Sequence, residues 1–285
     1  MRPDLWGILR DARYAFPRQL EKVGGGPGPE AAARICERLH TRGLRATLGH
    51  FPGSRDTPTS IAAANLAAAC CLQGAPADAY LSVKAPPLGF DRGHLQVIAG
   101  AAAASGLPLM FDAHAPHQAE ATHSLFEDLL AQFPGTGCVL PARWKRSMAD
   151  AARLRGTTAR VRVVKGEWAD PDWPKTDETS DIEANYLGLV TRLAGRTGTV
   201  SVATHCPRLV ERALPILLNA DTPCELEQLR GLPMRRTIAI ARRLGVPVRV
   251  YVPFGPGWLP YAADKALARP YLAEWIIRDR LGLAD

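Results

Sequence analysis

The sequence predicts a single (β/α)8 barrel, and three observations carry that expectation. Apolar runs of period 2 alternate with runs of helical period from Ala31 onward. The alternation is regular enough to fill eight strand–helix units, and 285 residues suit one such barrel or two small domains. No G-x-G-x-x-G or Walker-type loop follows a strand, so a doubly wound sheet is only the fallback.

Taken in order, residues 1–30 read as a short helical extension that ends in a flexible joint at Gly24-Gly-Gly-Pro-Gly-Pro29. The barrel is expected over 31–285. Helical Ala31–Arg42 leads to strand Leu44–Phe51, and helical Ser60–Leu72 to strand Ala77–Lys84. Leu95–Ala104 precedes Leu107–His114, Ala119–Gln132 precedes Gly137–Leu140, and Ser147–Arg155 precedes Arg160–Lys165. Ile182–Ala194, Arg208–Leu218 and Met234–Leu244 lead to Val200–His205, Cys224–Leu229 and Val246–Pro253. A C-terminal helical stretch, Tyr261–Arg280, closes the chain and is expected to break or bend at Pro270.

Composition narrows the function. The hydrophobic share is 47% and the charged share 22%, ordinary for a soluble globular chain. The net charge of +7 is spread without a basic block or an aromatic-interleaved stripe, so it predicts mild attraction to anionic ligands, not nucleic-acid binding. The 6 cysteines show no metal-ligand spacing and read as reduced thiols. No stretch is long and apolar enough to span a membrane, and Met-Arg-Pro-Asp-Leu opens no signal peptide, which predicts a cytoplasmic protein.

Polar residues collect at the predicted strand ends: Lys84, Asp112 with His114, Arg162 with Lys165, Thr204 with His205, Glu225 with Glu227, and Tyr251. In a barrel those ends form the active rim. Arg160 and Arg162 alternate with Val161 and Val163, so both arginines face one side. Facing inward, they require anionic or electron-rich partners. One reading gives Arg162 and Lys165 a phosphate or a cofactor edge, and pairs Lys84 with Asp112 in a dry site. The other gives Asp112, His114, His117 and His205 a divalent metal for hydrolysis. Asp112-Ala-His-Ala-Pro-His117 matches no strong zinc motif, which favours the cofactor.

These residues resemble the flavin-dependent proline dehydrogenases, a family with a distorted (β/α)8 barrel. The markers are Tyr80-Leu-Ser-Val-Lys84, Phe111-Asp-Ala113, Arg162-Val-Val-Lys-Gly166, Ala203-Thr-His205, Cys224-Glu-Leu-Glu-Gln-Leu-Arg-Gly231 and Arg249-Val-Tyr-Val-Pro-Phe-Gly255, leading to Tyr261. The resemblance implies FAD, contacted by Arg162, Lys165, Gly166, Thr204 and His205, with Glu227 on the cofactor side. Lys84, Asp112 and Tyr261 would stand on the substrate side. It further implies hydride transfer from an amine carbon to flavin N5, with a quinone or oxygen as final acceptor.

The departures concern the substrate side most. Where the family has Tyr-x-x-Arg-Arg, this chain has Tyr261-Ala-Ala-Asp264-Lys265, and the glutamate expected beyond is Ala268. Aspartate in place of arginine repels a carboxylate, and Lys265 restores a point charge but no fork. Arg230 replaces a tyrosine, Trp168 another, and His114 a glutamate; Pro141 and Glu227 replace glutamines that meet the flavin. The expectation is an amino-acid or cyclic-amine oxidase or dehydrogenase retargeted from free proline. Asp264 would meet a second amine or hydroxyl, and Arg230 or Arg143 a relocated carboxylate. Proline oxidation with altered carboxylate recognition, or a non-catalytic scaffold protein, are the alternatives.

Overall fold

The computed structural model describes residues 26–75, 78–172 and 178–268, with backbone alone at 178–180 and 265–268. Eight parallel strands close into a barrel in chain order. They are β1 (Arg45–His50), β2 (Ala79–Val83), β3 (Leu109–Phe111), β4 (Gly137–Pro141), β5 (Arg160–Val164), β6 (Val200–Ala203), β7 (Cys224–Leu229) and β8 (Val248–Phe254). The barrel is shut by β8 pairing with β1, with Thr47 opposite Tyr251. Helix α1 (Pro29–His40) precedes β1. The others follow their strands: α2 (Pro58–Leu72), α3 (Arg92–Ala104), α4 (Ala119–Gln132), α5 (Ser147–Leu154), α6 (Glu178–Leu193), α7 (Pro207–Leu218), α8 (Arg235–Arg243) and α9 (Trp258–Ala268).

The expected order of elements holds, while several ends move. Strand β3 stops at Phe111 rather than His114, and Pro116–Gln118 forms a 3-10 turn. Pro116 has no N–H to continue a ladder. Thr204 and His205 lie beyond β6, and α9 begins at Trp258, before Tyr261. Pro270 and most of the N-terminal extension lie outside the described residues. The part of the expected flexible joint that is described is tied down: Gly26 N–H donates to Gly255 O at 3.1 Å, and Gly255 N–H to Pro27 O at 2.9 Å.

Two layers with opposite chemistry follow from strand alternation. Outward positions such as Leu48, Leu81, Phe111, Leu140, Val163, Val202, Leu226 and Val252 are buried among helix residues such as Ile98, Phe126, Tyr186 and Leu214. Burying each large apolar side chain contributes roughly 1.5–3 kcal/mol, so the barrel–helix layer is the main hydrophobic core. The inward positions are mostly polar, with Met110 and Val139 as an apolar pair beside Tyr80. At the lower end Glu225, 0% exposed, accepts from Arg249 Nε at 2.9 Å, Arg45 at 3.1 Å, Arg160 at 3.2 Å and Ser201 at 2.7 Å. Arg249 also donates to Asp78 and to the Ala46 carbonyl. This plug carries charge where barrels usually hold branched apolar side chains.

Candidate active site

Above the plug, Arg162 projects from β5 into the barrel at 4% exposure. Its Nε donates to Glu227 at 2.8 Å, Nη1 to Asp112 at 2.7 Å and Nη2 to Tyr80 Oη at 3.0 Å. Tyr80 donates in turn to Glu227 at 2.6 Å, and Thr47 does so at 2.8 Å. Burial alone would weaken the guanidinium's charge, but Glu227, Tyr80 and Asp112 hold its pKa well above the ordinary arginine value. The anionic partner that the sequence requires for Arg162 is therefore the protein's own Asp112 and Glu227. Arg160 finds its partner in the lower plug, at Glu225.

Asp112 links this network to the mouth. It accepts from Ser82 at 2.7 Å and Tyr251 at 2.9 Å, and Lys84 Nζ lies 3.2 Å from its second oxygen. Burial opposes the charge of Asp112, yet Lys84 and Arg162 prevail and bring its carboxyl down to about 2. Lys84 is pulled the other way: burial lowers its pKa, and Asp112 offsets part of that. The ammonium also donates to His50 O at 2.8 Å and lies 4.3 Å from the centre of the Phe51 ring. The expected Lys84–Asp112 pair is present, in a dry setting. Tyr251 reaches it only because β1 carries Gly49 two residues beyond Thr47; a Cβ there would lie 1.7 Å from Tyr251 Oη.

The rim holds the remaining residues singled out by sequence. Lys165 pairs with Glu183 of α6 at 3.1 Å. Gly166 turns with φ +95°, and a Cβ there would lie 2.9 Å from Pro141 Cβ, so only glycine fits. Thr204 is buried, its hydroxyl accepting from Cys206 N–H at 3.2 Å. His205 accepts from Leu229 N–H at Nε2 (3.0 Å) and sets Nδ1 against Pro233 O at 2.7 Å. Tyr261 donates to Glu167 at 3.0 Å and packs on Phe51 and Trp258. Asp264 is half-buried one turn further along α9, Lys265 has no described side chain, and Arg230 is exposed.

Two expectations change here. Glu227, placed on the cofactor side by sequence, is 3% exposed and serves as the counterion beneath Arg162. The metal reading loses His205, whose ring nitrogens both face backbone groups, and His117, which is exposed; no metal-binding group of three or more His, Cys, Asp or Glu occurs among the described residues. Tyr80, Ser82 and Thr47 are partners that the sequence reading passed over. The signal for the first two was the alternation in Tyr80-Leu-Ser-Val-Lys84, which sets them on the face of Lys84.

A family model described as proline dehydrogenase matches residues 54–259. The chain belongs to the proline dehydrogenase family. Proline dehydrogenase 1 of Bacillus subtilis subsp. natto is 23% identical over 261 residues, covering 87% of this chain and 86% of the relative. The proline dehydrogenase of Deinococcus radiodurans is 24% identical over 288 residues, covering 95% and 92%. Among solved structures, proline utilization A from Bdellovibrio bacteriovorus, inactivated by N-propargylglycine, superposes with TM-score 0.74 at 18% identity over 92% of this chain. Proline utilization A from Corynebacterium freiburgense does so with TM-score 0.68 at 19% identity over 98%. This chain spans about a third of those longer proteins, 34% in both cases.

Family membership makes the chain a flavin-dependent dehydrogenase acting on a proline-like substrate. Its residues fit a flavin. The β4–β5 rim sets cationic Arg143 and Lys165 around a turn that only glycine permits, which suits an electron-rich ring system and its phosphates. Arg143 Nε is buried there without a partner. Among the described residues no helix is long and apolar enough to cross a membrane.

Proposed function

We propose that this enzyme uses FAD to oxidise the C–N bond of an amino acid or cyclic amine other than free L-proline. One observation carries the reading. The cations of the cofactor side, Arg162 and Lys165, are kept, while α9 presents Asp264-Lys265 where the family holds a carboxylate with two arginines. Arg162, Lys165, Gly166, Thr204 and His205 would hold the flavin, which supplies a hydride acceptor when bound.

The chain's own residues prepare the substrate. Asp112, kept ionised by Lys84 and Arg162, presents a fixed negative charge toward an amine in the mouth. Tyr251 and Ser82 hold that carboxylate in place. Phe51, Tyr261 and Trp258 form an aromatic wall that excludes water and packs on a ring or aliphatic chain. Asp264 disfavours a bare carboxylate at its position and suits a second amine or hydroxyl.

The test begins with the visible spectrum of the purified protein, as isolated and after addition of FAD. A protein that stays colourless under both conditions refutes the reading. With flavin bound, a panel of amino acids and cyclic amines is assayed with a dye acceptor, then with a quinone and with oxygen. L-proline is expected to turn over poorly, and Asp264→Arg with Lys265→Arg to raise its turnover at least tenfold. Efficient proline oxidation by the unaltered chain would mean an ordinary proline dehydrogenase with altered carboxylate recognition.

A further inference from the structure

The cations that β2 and β5 present to the mouth each have a carboxylate of the protein. Lys84 has Asp112, Arg162 has Asp112 and Glu227, and Lys165 has Glu183. Arg143 differs. Among the described residues no hydrogen bond or ion pair engages its guanidinium, and its Nε is buried with no partner. Arg143 is half-buried, and its dry, unmatched Nε costs about 1–3 kcal/mol, so the position suits a partner from outside the chain. Arg230, by contrast, is exposed and water serves it.

The turn after β4 places Arg143 at the barrel mouth. Leu140 and Ala142 lie in the outer apolar layer, and Val139 packs inside the barrel against Tyr80 and Met110. Pro141 follows Val139 as the last residue of β4, and Arg143 stands in the turn just beyond it, beside the exit of β5. Arg143 N–H donates to Lys165 O at 3.1 Å, tying the two strand exits together. A Cβ on Gly166 would approach Arg143 Cβ to 3.2 Å, so the glycine turn and the arginine share one wall. Because Glu183 already neutralises Lys165, the uncompensated charge of this wall sits on Arg143.

We propose that Arg143 is an oxyanion-binding residue at the barrel mouth, taking a phosphate or carboxylate oxygen of a ligand bound there. A guanidinium fork matches both groups in geometry and charge. The sources are the pyrophosphate of a flavin dinucleotide or the carboxylate of an amino-acid substrate. The second would give the enzyme a carboxylate contact on the side of the mouth away from α9. The identity of these ligands rests on the flavin-dehydrogenase reading; the site itself does not.

The experiment is calorimetric titration of the unaltered chain, Arg143→Ala and Arg143→Lys with inorganic pyrophosphate and, separately, with cyclopentanecarboxylate. Riboflavin and FAD are titrated into the same proteins, and thermal unfolding checks that each is folded. Arg143→Ala is expected to weaken one of the two anions at least tenfold, with Arg143→Lys between. A phosphate source weakens pyrophosphate and FAD together and leaves riboflavin unchanged. A carboxylate source weakens cyclopentanecarboxylate and raises KM for carboxylate-bearing substrates alone. Equal affinities in Arg143→Ala and the unaltered chain, or no binding of either anion by the unaltered chain, overturn the proposal. Pyrophosphate held through Arg143 by a chain that takes no flavin would sink the dehydrogenase reading and leave this site standing.

Discussion

At the scale of single residues, a guanidinium can lie inside a barrel when its nitrogens meet oxygens, as Arg162 does with Glu227, Asp112 and Tyr80. Removing one partner of such a buried pair is far more disruptive than its net contribution to stability, because the other charge is left dry. Glu225→Gln should therefore destabilise the fold by about 3–5 kcal/mol, since Arg249, Arg45 and Arg160 all converge on that carboxylate. Urea unfolding measures this, and a loss below about 1 kcal/mol would contradict the account. Asp112→Asn tests the upper network. It keeps the shape but leaves Lys84 and Arg162 without their shared charge, so kcat/KM should fall by roughly 100-fold or more. Unchanged kcat/KM in flavin-loaded Asp112→Asn would remove Asp112 from the machinery.

At the scale of elements, the mouth depends on strands that exchange space across the barrel. Gly49 on β1 leaves the room that Tyr251 of β8 occupies, with its Oη 1.7 Å and Cζ 2.2 Å from where a Cβ would stand. Gly49→Ala must push Tyr251 aside, which should cost about 1–3 kcal/mol and detach the tyrosine from Asp112. Tyr251→Phe cannot relieve the clash, because the ring carbon conflicts too. Gly49→Ala combined with Tyr251→Ala should recover the overpacking part of the loss. A double-mutant cycle by thermal unfolding reads that coupling, and strict additivity would count against the packing argument. Helix α9 is placed by the same logic: Tyr261 is held between Phe51 and the Glu167 carboxylate, so the start of the helix is docked on the rim.

At the scale of the whole molecule, buried titratable groups set how stability responds to acid. His50 is 5% exposed, and burial, aided by the Lys84 charge, lowers its pKa to about 4 from an ordinary 6.5. Its folded form favours the neutral ring, so its contribution is complete above about 6.5 and is lost as pH falls toward 4. A shift of that size corresponds to roughly 3–4 kcal/mol. Asp112 and Glu225 are held down at about 2 by neighbouring cations despite burial, so their contribution is present above the ordinary carboxylate range and disappears as pH falls to 2. Stability should therefore decline in two acid stages, one between 6.5 and 4 and one between 4 and 2. His50→Gln should shrink the first stage, to which His114 and His123, also lowered by burial, contribute, and spare the second. Denaturant midpoints across that pH range decide it, and an unchanged first stage in His50→Gln would exclude His50 as one of its sources.

The amino-acid sequence by itself determined the order of strands and helices, because a side-chain period of 2 or 3.6 is a local property. It also determined which residues reach the upper rim, since alternation along Tyr80–Lys84 and Arg160–Lys165 assigns each side chain a face. The Lys84–Asp112 pairing was legible for that reason, with family resemblance behind it. What only the tertiary structure decided is who neutralises whom. Arg162 and Glu227 are 65 residues apart, Thr47 and Glu227 180 apart, and no local pattern announces such pairs. Barrel closure brings them within hydrogen-bond reach, turns Glu227 into a counterion, engages both nitrogens of His205, and leaves Arg143 at the mouth without a carboxylate. Periodicity places a charge on a face; only the closed barrel places another charge opposite it.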